Sequence, residues 1–140
     1  MIIAVDFDGT IVEHAYPNIG VPIPFALETL IQIQKEGEHQ LVLWTVREGE
    51  LLQEAVDYCK ENGVDFYAVN KDYPEEVYDS HANRKLKADL FIDDRNVGGI
   101  PDWGVIYAMI KGKIKPRYDG GYEMPKQKNM LIRIGEWLQR

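Results

Sequence analysis

Two carboxylates at alternate positions, Asp6 and Asp8, close an apolar run from Ile2 to Val5, and Gly9 and Thr10 follow at once. A short apolar run of this kind reads as a buried strand, and the glycine turns the chain after it. Acids at a strand's end, followed by a turn, place charge at the rim of a sheet. Three further apolar stretches end the same way, at Thr45, at Asn70 and at the pair Asp93-Asp94. In an open parallel sheet these carboxyl ends meet at one edge, where such sheets bind ligands.

Four carboxylates, a hydroxyl and an amide would then converge. Two like charges about 4 Å apart repel by roughly 4 kcal/mol at an effective dielectric of about 20, so the group needs protonation or a cation. All-oxygen donors select a hard ion. Few carboxylates with room for water suit Mg²⁺ better than Zn²⁺ or Ca²⁺. A basic side chain near the same edge would complete a phosphate site, and Lys85 stands eight residues before Asp93.

The elements that must position these groups alternate along the chain. Strands are expected at Ile2–Phe7, Leu41–Thr45, Phe66–Asn70 and Leu90–Asp93. Phe25–Glu36 reads as a helix between Pro24 and Gly37, with Leu27, Leu30 and Ile31 on one face. Glu48–Asn62 is a second, stopped by Asn62-Gly63, a pair suited to the left-handed cap. Pro101–Ile110 is a third, apolar on most sides. Lys126–Arg140 is a fourth, striped by Met130, Leu131, Ile134, Trp137 and Leu138. Such alternation argues for an α/β fold with a mostly parallel sheet covered on both faces. Gly112–Pro125 has no clear periodicity and reads as a surface loop, a short hairpin or a partner-contacting arm.

At 140 residues the chain is read as a single domain, 1–140, able to bury a real core. Its 45% hydrophobic and 28% charged residues match a soluble globular protein. No apolar run approaches a membrane span, and no basic-then-apolar leader is visible, so a cytoplasmic location is expected. Cys59 is the only cysteine, which excludes an internal disulfide and a multi-cysteine metal site. With Leu52, Ala55 and Val56 it shares a helix face and reads as core. The net charge of −7 is uneven: residues 1–104 hold 8 Lys/Arg against 20 Asp/Glu, and residues 105–140 hold 8 against 3. The overall acidity argues against a nucleic-acid partner, and the basic tail reads as lying on the acidic body or as solvated surface.

Taken together, DFDGT at Asp6–Thr10, LVLWT ending at Thr45, Lys85, and FIDD ending at Asp93-Asp94 resemble the four motifs of the haloacid-dehalogenase (HAD) superfamily in order and spacing. The resemblance spans residues 2–94. It implies a Rossmann-like fold with strand order 3-2-1-4 and a Mg²⁺-dependent phosphatase. Asp6 matches the nucleophile that attacks phosphorus, and Asp8 the general acid that then serves as base. Thr45 and Lys85 match phosphate-holding groups, with Lys87 as the alternative to Lys85. Asp93 matches a metal ligand beside Asp6 and the backbone carbonyl of Asp8, and Asp94 supports the metal or its waters. An acid at Asp8 favours a phosphatase over a dehalogenase within that family.

Gly9, Thr10, Arg47 and Asn70 are further candidate substrate contacts. His14, His39 and His81 are expected at the surface. In the Asp-x-Asp spacing, both acids of the first motif are expected on one face of the strand. Neither interval between motifs can house a folded cap, so the site is expected to be open. An open site admits a phosphorylated small molecule or a bulky phosphate ester; alternatively a second copy of the chain or the 112–125 segment covers it. Two readings compete with the hydrolase: a phospho-acceptor signalling domain like the bacterial receivers, and a catalytically idle binding protein. Receivers put the acid pair first and the acceptor on a later strand, whereas here Asp-x-Asp comes first.

Overall fold

A computed structural model describes residues 1–77, 84–113, 115–116, 122–123 and 138–139. The expected C-terminal helix at Lys126–Arg140 and His81 lie outside those residues, apart from 138–139. The chain forms two compact units, Met1–Gly104 and Val105–Arg140. Among the described residues, no helix is long and apolar enough to cross a membrane.

Unit one is built on four parallel strands, β1 (Ile2–Val5), β2 (Gln40–Leu43), β3 (Ala68–Val69) and β4 (Leu90–Ile92). Their order is β3-β2-β1-β4, as expected, and the sheet is open. Helices α1 (Ala26–Glu36) and α2 (Gly49–Glu61) carry the chain back between β1, β2 and β3. Both stop where glycine takes a left-handed conformation, at Gly37 (φ 67°) and Gly63 (φ 89°). Helix α3 (Trp103–Ile110) follows β4, and a short antiparallel pair, β5 (Lys115–Pro116) with β6 (Tyr122–Glu123), lies within the 112–125 segment.

The strands are shorter than expected because their polar ends leave the ladder. Backbone pairing nevertheless continues one residue past β1, β2 and β3: Asp6 N–H donates to Ile92 O (2.9 Å), Trp44 N–H to Val5 O (2.8 Å) and Asn70 N–H to Leu43 O (2.8 Å). The parallel register sets Val5 level with Leu43 and Ile92, and Leu43 level with Val69. Asp6, Trp44, Asn70 and Asp93 therefore emerge together at one edge. The strand order reverses between β1 and β4, the switch point at which open α/β sheets take ligands.

Apolar alternation holds this edge in place. Ala4, Val42, Ala68 and Leu86 form one buried cluster, with Ile2, Trp44, Ala88 and Phe91 packed against it. Ile3, Val5, Leu41 and Leu43 are buried on intervening positions of the same strands. Cys59 is wholly buried and its thiol is pushed up to about 12 by burial, which suits packing and not reactivity. Leu43 lies between β1 and β3 with no exposed surface. Leu43→Ala is expected to lower unfolding stability by about 3 kcal/mol in urea denaturation.

Candidate functional site

The site begins with a tight turn after β1. The Phe7 carbonyl accepts the N–H of Ile11 (2.9 Å), and Gly9 N–H reaches Val12 O (2.7 Å). Gly9 sits at φ 85°, and a β-carbon there would collide with the His14 ring and the Asp94 carboxylate. Glycine is thus required twice over, by conformation and by space. The turn leads into a flap in which Ile11–Glu13 pairs with Val21–Ile23 through Glu13 N–H to Val21 O (2.8 Å) and Ile23 N–H to Ile11 O (2.9 Å).

Asp6, Asp93 and Asp94 each offer a carboxylate oxygen within 4.8 Å of the others. These three could hold a metal ion, and an all-oxygen set of this kind suits a hard divalent cation. Thr10 braces them from below. Its buried hydroxyl lies 3.3 Å from Asp6 Oδ2 and 3.4 Å from Asp94 Oδ1, and it accepts the Asp94 N–H at 3.1 Å. Trp103 Nε1–H in turn donates to Thr10 O at 2.9 Å. Thr10, expected as a substrate contact, is therefore a buried strut.

The electrostatics follow from this crowding. Burial raises the Asp6 carboxyl from 3.8 to about 7, and the neighbouring charges of Asp93 and Asp94 push the same way against the Phe7 amide and the Thr10 hydroxyl. Asp94 goes in the opposite direction. Its burial would raise it, but the hydrogen bond and charge of His14 outweigh that and hold it low. The His14 Nε2 lies 2.8 Å from Asp94 Oδ2. His14 was expected to be a surface residue; it is half exposed, yet it reaches into the site. Its place four residues after Thr10 was the only signal in the sequence.

Asp8 does not join this cluster. Both of its oxygens accept from Arg47, Oδ2 from Nε and Oδ1 from Nη2, each at 2.7 Å. The two acids of the first motif are thus parted. Strand alternation ends at Val5, so the turn and not the pleat directs Asp8. Arg47 was expected to meet substrate, but it is wholly buried. It also donates to the carbonyls of Pro17 (3.1 Å) and Asn18 (2.8 Å), and its guanidinium lies over the rings of Phe7 (5.1 Å) and Tyr16 (5.2 Å). The pairing with Asp8 raises the Arg47 pKa further above its usual range. Arg47 therefore ties Asp8 to the flap.

Thr45 and Asn70 meet each other at the same edge. The Thr45 N–H donates to Asn70 Oδ1 (2.8 Å), and the Thr45 hydroxyl accepts the Arg47 N–H (3.2 Å). Asn70 takes a left-handed φ of 52°, a conformation asparagine tolerates better than most residues. Lys85 is exposed, with its Nζ 5.4 Å from the centre of the Phe91 ring, two residues before Asp93 on β4. Lys87 is exposed too, and its backbone N–H is held by Asp72 (2.7 Å). An open hollow of about 300 Å³, lined by Met1, Ile2, Gly37 to Gln40 and Asp89, lies at the opposite edge of the sheet and holds none of these residues.

No family model and no curated protein matches the chain. A solved structure, described as that of a conserved protein from Bacteroides thetaiotaomicron, matches with 69% sequence identity and a TM-score of 0.75, covering 81% of this chain and 91% of that one. The chain belongs to that protein's family. At this identity the two proteins share the α/β fold just described.

Two expectations follow from the geometry. A raised Asp6 favours the protonated folded state, so without cations stability falls as pH rises from about 4 to about 7. At about 1.4 kcal/mol per unit the loss reaches roughly 4 kcal/mol. Urea denaturation in chelator across this range should show that slope in the native protein and not in Asp6→Asn. Arg47→Met leaves Asp8 without its partner inside the fold and is expected to lower stability by about 3 kcal/mol.

Proposed function

We propose that the protein is a cytoplasmic, Mg²⁺-dependent phosphomonoester hydrolase of the haloacid-dehalogenase kind, working through an aspartyl-phosphate at Asp6. The observation that carries this reading is the meeting of Asp6 with Asp93 and Asp94 across the β1/β4 switch point, with Asp8 two residues on but held apart from them. A nucleophile inside the metal-binding group and an acid outside it is the division of labour that phosphoryl transfer to a carboxylate needs.

Asp6, Asp93 and Asp94, with the backbone carbonyl of Asp8, are the residues proposed to hold Mg²⁺. The bound ion would neutralise charge shared between an anionic nucleophile and an anionic substrate. An Asp6 oxygen attacks phosphorus, and the bond from phosphorus to the ester oxygen breaks. The departing alkoxide takes its proton from Asp8. In the second half, Asp8 removes a proton from water as the water oxygen attacks phosphorus, which frees inorganic phosphate and restores the Asp6 carboxylate. Thr45, at the same edge, and Lys85, whose Nζ lies over the Phe91 ring, are the proposed holders of the phosphate oxygens.

Arg47 bears on the two Asp8 steps. Both Asp8 oxygens accept from Arg47 and so carry no proton in the present arrangement; Asp8 must first release Arg47 and take a proton from water before it can protonate the leaving oxygen. Flap carbonyls share the same guanidinium, so a flap movement and the freeing of Asp8 are linked.

With Mg²⁺ present, the purified protein should release phosphate from an aryl phosphate, and chelation should stop the reaction until Mg²⁺ is restored. Asp6→Asn is expected to lower turnover by about a thousandfold or more, as the loss of a covalent nucleophile does. Unchanged turnover in that variant would remove Asp6 from the role.

A further inference from the structure

Exposed apolar side chains are frequent among the described residues that follow the carboxyl ends of the strands. Ten large hydrophobic residues are strongly exposed among the described residues, and seven of them, including Tyr16, Val21, Phe25 and Val46, stand after the carboxyl end of a strand. Scattered single residues of this kind need no explanation. Three have an added connection. Tyr16 stacks one face on the Arg47 guanidinium that holds Asp8, yet remains 59% exposed. Val46 stands between Thr45 and Arg47 and is 84% exposed. Phe25 holds a left-handed φ of 65°, an outlier for an aromatic residue, while 69% exposed. Backbone strain at an exposed ring is not repaid by packing and is characteristic of ligand-contacting positions.

Charge narrows what these residues can meet. The loop from Asp6 to Phe25 contains no lysine or arginine, and the β2–α2 loop contains only Arg47, which is buried and committed to Asp8, Pro17 and Asn18. Glu13 and Glu48 are exposed on the same two loops. Among the described residues, the exposed cations between β3 and α3, namely Lys71, Arg84, Lys85, Lys87 and Arg95, lie on other connections, Arg95 directly after Asp94. Among the described residues, a second phosphate or a carboxylate on the substrate would find no free basic partner on the two loops that flank Asp8.

We propose that the phosphate ester taken at Asp6 carries an aromatic or apolar alcohol with no second negative charge, and that Tyr16, Phe25 and Val46 form the surface on which that alcohol rests. This rests on the hydrolase reading above, because the ester oxygen must face Asp8, and its substituent then faces the loops on either side of Arg47. Val46 and Phe25 discriminate between esters; they take no part in bond breaking.

Esters of primary alcohols isolate this effect, since their leaving groups are alike. The native protein with Mg²⁺ is assayed on phenylpropyl phosphate, ethyl phosphate and the phosphate of a hydroxybutanoate. The phenylpropyl ester should have a kcat/KM about tenfold above the ethyl ester, the factor for roughly 60 Å² of apolar surface leaving water. The carboxylate-bearing ester should be the slowest. Val46→Ser and Phe25→Ser should bring the phenylpropyl-to-ethyl ratio towards unity. Equal kcat/KM for the phenylpropyl and ethyl esters, or fastest turnover of the carboxylate-bearing one, overturns this proposal alone. Turnover of none of the three overturns it together with the hydrolase assignment.

Discussion

Repulsion among Asp6, Asp93 and Asp94 is the constraint around which unit one is arranged. Carboxylate oxygens within 4.8 Å of one another repel by roughly 3 kcal/mol per pair at an effective dielectric of about 20. A fold that brings them together must offset this by other means. Thr10 bridges Asp6 and Asp94, His14 draws Asp94 towards its ionised form, and Asp6 responds to burial and charge by holding its proton up to about pH 7. The remaining imbalance is what the proposed divalent cation would offset.

Asp8 shows the opposite solution to the same problem. Two residues from Asp6, it would add a fourth charge, but Arg47 takes it away with two short hydrogen bonds inside the protein. Buried pairs of this sort add little net stability and much geometric definition. Here the definition extends to the flap, because the same guanidinium holds Pro17 and Asn18 and stacks with Tyr16 and Phe7. One buried arginine thus links the acid to the flap.

Much of this was legible in the sequence, for a physical reason. Strand ends are marked where an apolar run meets a polar residue, and parallel topology then gathers those ends without further information. Asp6, Thr45, Asn70 and Asp93 follow from that rule alone. Side chains steered by a turn escape it. The diversion of Asp8, the burial of Arg47 and the reach of His14 to Asp94 depend on how residues 7–23 fold back, where neither a period of 2 nor one of 3.6 applies. Thr10 was legible as part of a motif but not as a strut, because its role needs Asp94, 84 residues away.

Calorimetric titration of the native protein with Mg²⁺ tests the central claim most directly, namely that the three strand-end acids form a cation site with Asp6 at its heart. One ion per chain should bind, protons should be released to the buffer near neutral pH as Asp6 ionises, and Asp93→Asn should weaken binding severely. Binding that persists unchanged in Asp93→Asn, or no binding at all in the native protein, would contradict it.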